Sequence, residues 1–327
     1  MPEGSTQRCS QSFAGRLSRP GPEETGIDSS PPEQQPGSAV LDGSARHCPQ
    51  ASSENGALLH GYHAALVGET GSGAAERTRW LLLHGFTGSC QDWSSWPLGT
   101  PAIAIDLPGH GRSADPVGGF EAEVGRLLDA LPSEVDCLAG YSLGGRIVLG
   151  LIRAAPARFR RAVVISAHLG LTDSGARLER RRQDARWAAL LRERGIVAFV
   201  DAWERQPLFA SQSALAEDLL LRQRRCRLAQ RPEGLARALE SFGLGAMPEM
   251  SEAVLGWPGE LDWVVGERDQ KFAAIARQLQ RRRSDMRLHL IPGVGHNPLL
   301  EAPAALYGSI GLQYPSAQGA GQSSSTR

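Results

Sequence analysis

Six short apolar runs, at 80–83, 102–105, 137–139, 162–165, 263–265 and 288–291, stand out along the chain, each too brief for a helix and only the last, with His289, broken by a polar residue. That pattern predicts strands buried on both faces. Between them the apolar spacing changes to the helical period, at 121–131, 143–154, 272–280 and 303–310. Strand and helix taking turns predict an α/β fold with a mostly parallel sheet covered on both sides. A further strand or hairpin is expected at 58–67, closed by a Gly- and Ser-rich turn at 68–75.

The alternation stops between Leu171 and about Met247, where only helical patterns occur, at 186–191, 196–203, 214–221 and 234–242. Sheet elements resume afterwards. The stretch therefore reads as a helical cap inserted between two strands, over the end of the sheet where sites form. Residues 1–55 are Ser, Pro, Gly, Gln and Glu with few large apolar side chains, which predicts a disordered extension. The domain then spans 56–315, and 316–327 form a disordered tail.

Composition narrows the function classes. Formal net charge is zero, so nothing global points to nucleic acid or an anionic membrane. No apolar run is long enough for membrane insertion, and a secretory signal pattern is missing. Five scattered cysteines, Cys9, Cys48, Cys90, Cys137 and Cys226, lack zinc-site spacing and predict a reducing, cytoplasmic setting. Arg8, Arg16 and Arg19 among serines keep a plastid transit peptide open, against the acidic Glu23, Glu24, Asp28 and Glu33. Lys271 is the only lysine, every other basic residue being arginine.

The candidate chemistry centres on Gly140-Tyr141-Ser142-Leu143-Gly144-Gly145-Arg146, between an apolar run and a helical one. A serine there fits a nucleophile elbow, where a strand turns sharply into a helix and lifts the hydroxyl above the sheet. Taken alone, it also fits a glycine-rich turn carrying a surface serine. Upstream, His84-Gly85-Phe86-Thr87-Gly88 follows a buried run. In an elbow architecture this loop gives one oxyanion donor, the N–H of Phe86, and Leu143 gives the other. His84 reads as structural. An activated serine also needs a base and a carboxylate to orient it. Asp269 in Gly266-Glu267-Arg268-Asp269 and His296 in Gly293-Val294-Gly295-His296 each follow a predicted strand. Ser142, Asp269 and His296 thus occur in the chain order of the α/β-hydrolase fold, with Glu267 a rival acid. The turn Asp106 to Ser113 resembles the Asp-x-Pro-Gly-x-Gly-x-Ser turn of the same fold.

The run His84 to Ser89, then Gln91-Asp92-Trp93, resembles the 2-succinyl-6-hydroxy-2,4-cyclohexadiene-1-carboxylate synthase family of menaquinone and phylloquinone biosynthesis. So do Leu178-Glu179-Arg180-Arg181-Arg182 with Trp187, Trp203 to Ser211, and Gly266 to Phe272. The resemblance implies a lyase on a hydrolase scaffold, without metal or cofactor, eliminating pyruvate from an anionic small molecule, 2-succinyl-5-enolpyruvyl-6-hydroxy-3-cyclohexene-1-carboxylate. A substrate with several carboxylates calls for forked, permanently charged donors. Arg146 lies one helical turn beyond Ser142, and Arg180 matches the family's cap arginine. A further cap arginine comes from 222–227: counting back from Gly234-Leu235-Ala236 gives Arg227, the preferred choice, while counting forward from Ala210-Ser211 gives Arg224. Tyr141 and Trp203 carry over as pocket walls. Two departures concern loop shape: His168-Leu169-Gly170-Leu171 where the family often has a proline, and a short stretch between Trp93 and Ala102. The competing function is a carboxylesterase or carbon–carbon bond hydrolase with the same triad, for which an apolar pocket without Arg146 is expected.

Overall fold

The computed structural model describes residue 59 and residues 61–68, 79–97 and 99–314. The expected extension 1–55 and tail 316–327 lie outside the described residues.

Seven strands form one sheet: β1 (Ala64–Val67), β2 (Trp80–Leu83), β3 (Ala102–Ile105), β4 (Cys137–Tyr141), β5 (Arg161–Ile165), β6 (Glu260–Gly266) and β7 (Arg287–Ile291). Their order is β1-β3-β2-β4-β5-β6-β7, parallel throughout except that β1 pairs antiparallel with β3. The chain steps from β2 to β3 on one side and then to β4 on the other, so the winding direction reverses at β2. In open α/β sheets the crevice beyond the strands' C-terminal ends at such a reversal is where ligands bind.

The side-chain period of two along a strand explains why the apolar runs lack alternation. Leu81 and Leu83 of β2 join a core with α1 (Phe120–Ala130), α2 (Leu143–Ala154) and α7 (Gln270–Arg282). Trp80 and Leu82 join a second core with Trp93, Trp96 and Tyr307, the last from the helix Pro303–Ser309. Both faces of the central strands are thus dry, and each fully buried Leu or Ile contributes about 1.5–3 kcal/mol. β7 departs from the expectation of burial on both faces. It is the last strand of the sheet, and Arg287 to Leu290 are exposed or half-buried.

Between β5 and β6 come α3 (Ser174–Glu204), a 3₁₀ segment (Pro207–Ala214), α4 (Glu217–Leu228), α5 (Pro232–Phe242) and the short α6 (Ser251–Gly256). Two expected helices, 186–191 and 196–203, are parts of α3, interrupted at Gly195, whose φ of 74° only glycine adopts readily. The helix expected at 214–221 instead starts at Glu217. Pro207 heads the 3₁₀ segment, and the acidic Glu217 and Asp218 sit in the first turn of α4, where the helix dipole favours them. The α3–α5 unit has its own core of Trp187, Leu191, Phe199, Leu235 and Leu239. Phe86 packs against this core and against the sheet core, joining the two. Gln230 adds a polar tie, accepting from the Gly111 N–H at 2.8 Å and donating to the Gly88 carbonyl at 2.9 Å.

At the opposite end of the sheet the buried Asp262 accepts hydrogen bonds from Arg161, Arg287 and His289. These bonds outweigh burial and hold its carboxyl below the ordinary carboxylate range. A depressed folded-state value means stability present above the unfolded carboxylate pKa and lost as pH falls through the folded one. Asp262→Asn is expected to cost roughly 2 kcal/mol at pH 7. In urea melts between pH 7 and pH 3 the difference from the parent protein should shrink toward the acid end.

Candidate active site

Ser142 caps α2 directly after β4 with φ 50° and ψ −102°, a backbone that few non-glycine residues adopt. Three hydrogen bonds hold that turn: Ser142 N–H to the Ile165 carbonyl at 2.8 Å, Gly144 N–H to the His84 carbonyl at 3.0 Å, and Arg146 N–H to the Ser142 carbonyl at 3.1 Å. A side chain at Gly144 would overlap the Leu83 carbonyl, so only glycine lets α2 start this close to β2.

Ser142 Oγ lies 3.1 Å from His296 Nε2, and His296 Nδ1 lies 2.6 Å from Asp269 Oδ2. The carboxylate can only accept, so Nδ1 carries the proton and Nε2 is left to accept from the serine hydroxyl. Asp269 and His296 are buried, on loops following β6 and β7. Glu301 clamps the histidine loop from below, its carboxylate accepting from the N–H groups of Gly295 at 2.6 Å and Asn297 at 3.1 Å. The rival acid Glu267 is occupied elsewhere, accepting from the Gly293 N–H at 3.1 Å. The His296 ring is flanked by Tyr141 at 5.6 Å and Phe272 at 4.6 Å.

His84 is fully buried between backbone groups: it donates from Nδ1 to the Gly85 carbonyl at 2.7 Å and accepts the Leu107 N–H on Nε2 at 2.9 Å. Burial lowers its pKa and keeps it neutral. The Asp106 carboxylate accepts the N–H groups of Cys90 and Arg112, which pins the turn after β3. Neither the Phe86 nor the Leu143 N–H has a protein acceptor among the described residues. Both residues line the cavity beside Ser142.

That cavity, about 700 Å³, lies between the C-terminal ends of the strands and the α3–α5 helices. Besides Ser142 and His296 it is lined by Arg146, Arg180, Arg227, Tyr141 and Trp203, while Asp269 stands behind His296. Arg146 is half-buried, donates to the Phe242 carbonyl, and has its pKa pushed down to about 9 by burial and by Arg180. Arg180 is oriented by Asp184 at 2.9 Å. Arg227 is buried, paired with Glu204 at 3.1 Å, and its guanidinium lies 5.2 Å from the centre of the Phe209 ring. Arg224, the alternative to it, faces Asp201 and Glu204 and does not line the cavity. Arg222 and Arg225 line it too, Arg222 being held by Asp218.

Among the lining residues outside the sequence reading of the site are Asp92, His168 and Lys271. Lys271 did carry a compositional signal, as the chain's sole lysine. Burial and Arg180 lower its pKa. His168 is held down to about 3 by burial and by Lys271, Arg146 and Arg180, and its Nδ1 accepts the Gly170 N–H at 3.0 Å. One wall of the cavity is therefore strongly cationic. The short stretch after Trp93 forms no helix beyond the single 3₁₀ turn Cys90–Trp93.

Residues 80–308 match the alpha/beta hydrolase family. The 2-succinyl-6-hydroxy-2,4-cyclohexadiene-1-carboxylate synthase of Salmonella agona is 36% identical over 261 residues, covering 77% of this chain and 97% of the Salmonella protein. Among solved structures, MenH from S. aureus superposes with a TM-score of 0.70 at 27% identity, over 76% of this chain and 96% of that one. A thermophilic esterase from Thermogutta terrifontis shares the fold, with a TM-score of 0.62 at 22% identity over 76% of this chain and 92% of its own.

Proposed function

Because the chain belongs to the alpha/beta hydrolase family and, within it, to the 2-succinyl-6-hydroxy-2,4-cyclohexadiene-1-carboxylate synthases, we propose that it eliminates pyruvate from 2-succinyl-5-enolpyruvyl-6-hydroxy-3-cyclohexene-1-carboxylate in menaquinone biosynthesis. The observation that carries this over ester hydrolysis is the cationic wall: Arg146, Arg180 and Lys271 line the same cavity as Ser142. These cations suit a substrate with several carboxylates, and desolvating them would penalise a neutral ester.

In this reading Ser142 acts as a base toward carbon. His296, oriented by Asp269, accepts the serine proton, and Ser142 Oγ takes the ring proton next to the succinyl ketone. The enolate oxygen so formed rests on the N–H groups of Phe86 and Leu143. Its electrons move through the ring double bond, break the carbon–oxygen bond and expel the enolpyruvyl group, with no acyl-enzyme. Arg146, Arg180 and Arg227 pair with substrate carboxylates, and Tyr141 and Trp203 form apolar walls. No helix among the described residues is long and apolar enough to cross a membrane.

The test is release of pyruvate from the authentic enolpyruvyl substrate by purified protein, followed with lactate dehydrogenase and NADH. Catalytic, saturable release is expected. Release at the uncatalysed rate would overturn the assignment.

A further inference from the structure

Asp92 poses a physical problem that the elimination scheme leaves unsolved. It is an acid lining a cavity built to hold anions. A side chain at Gly88 would strike its Oδ2, so the loop after β2 is shaped around this carboxyl group. The cation that acts on it, Arg227, is shared with Glu204, which takes one guanidinium nitrogen at 3.1 Å. An ionised Asp92 would repel an anionic substrate, with only that shared cation to offset it. A protonated one would present an O–H to it.

Two sets of charged groups flank His296, while Arg222 and Arg225 line the cavity outside both. Arg146, Arg180 and Lys271 all act on His168, which lies against Phe272 with ring centres 6.4 Å apart. Asp92 and Arg227 both act on Tyr141, the other ring beside His296. The second set therefore places one fixed cation, with Glu204 on its Nη1, beside the Asp92 carboxyl group. An enolpyruvyl substituent presents one carboxylate and, one carbon away, the ether oxygen that must leave.

We propose that Arg227 binds the carboxylate of the enolpyruvyl group and that Asp92 is the general acid that protonates its departing oxygen. The step rests on the elimination reading and balances as follows. As the ring enolate collapses into the diene, the carbon–oxygen bond breaks and its electron pair goes to the oxygen. That oxygen takes the Asp92 proton, leaving enolpyruvate, which tautomerises to pyruvate, and an Asp92 carboxylate that regains a proton from water as His296 releases to water the proton it gained. Burial raises the Asp92 pKa to about 7 against the opposing pull of Arg227 from α4 and of the Ser89 backbone. Asp106, in the turn after β3, adds to the rise. Tyr141 from β4 and Cys90 from the same 3₁₀ turn, the other groups coupled to Asp92, have their own pKa values raised and stay neutral across this range. The acid form is thus populated below about pH 7 and lost above it.

The experiment compares the wild type with Asp92→Asn in deuterium oxide. Two rates are read, pyruvate release and deuterium uptake into recovered substrate at the ring carbon next to the ketone. Asp92→Asn is expected to slow release about 100-fold while exchange continues, because proton abstraction does not need Asp92. Release by the wild type should fall as pH rises through about 7, and that fall should vanish in the variant. Release at the wild-type rate, or exchange and release falling together, would overturn the role. If Asp92→Asn does not fold, the wild type alone decides: exchange must gain on release above pH 7, and a constant ratio refutes the proposal. A wild type that releases no pyruvate at all would instead remove the elimination reading beneath it.

Discussion

Ser142→Ala is expected to lower kcat for pyruvate release by about 10³-fold or more while KM stays within a few-fold. The hydroxyl contributes one hydrogen bond, to His296, and no carboxylate contact, so its loss removes the base and leaves the anion site intact. His296→Ala should match it. The double variant should lose little beyond either single one, since the two act as one unit and their effects do not multiply. Steady-state kinetics with melting temperatures as a control settles this. Equal activity of Ser142→Ala and wild type would exclude every triad mechanism, lyase or esterase.

Arg146→Ala is expected to reduce kcat/KM about 300-fold, mostly through KM, the scale of removing one partner from a desolvated charge pair. Arg146 is unusual in lying one helical turn beyond Ser142, half-buried, with Arg180 close enough to lower its pKa. Repulsion of that kind is tolerated where an anion completes the site. Because Arg146 also donates to the Phe242 carbonyl and so ties α2 to α5, a melting curve must accompany the kinetics. Arg146→Lys keeps the charge and loses the fork, and should recover part of the affinity. Hydrolysis of a neutral p-nitrophenyl ester should be insensitive to both changes, which separates loss of anion binding from damage to the elbow.

The parallel sheet could be read from the sequence because β2 to β6 are dry on both faces, which forces apolar runs with no polar interruption. β7 lies at the edge, where Arg287 and His289 can turn to Asp262, so its burial was overestimated. α4 was misplaced for a related reason. Its sequence, Glu217 to Leu228, is mostly arginine and other polar residues, and only Arg227 is buried, so no apolar stripe marks it. Ser142, Asp269 and His296 were legible because strand ends and glycine turns announce them. Choosing between Arg224 and Arg227 needed the helix itself, which turns the first toward Asp201 and Glu204 and the second into the cavity. Asp92 stands in the sequence only as part of a family motif and His168 only in a departure from one, neither with a role attached. What sets them apart is burial beside other charges, a property of the folded arrangement.

The central claim is that a hydrolase triad here serves a carbon acid in an anion-binding cavity. Its most direct test is to measure, on one preparation, kcat/KM for pyruvate release from the enolpyruvyl substrate and kcat/KM for hydrolysis of short p-nitrophenyl esters. Elimination is expected to exceed hydrolysis by at least about 10³-fold, the discrimination that several buried charge contacts provide. Brisk ester hydrolysis with no pyruvate released would contradict the account and return the protein to the esterases whose fold it shares.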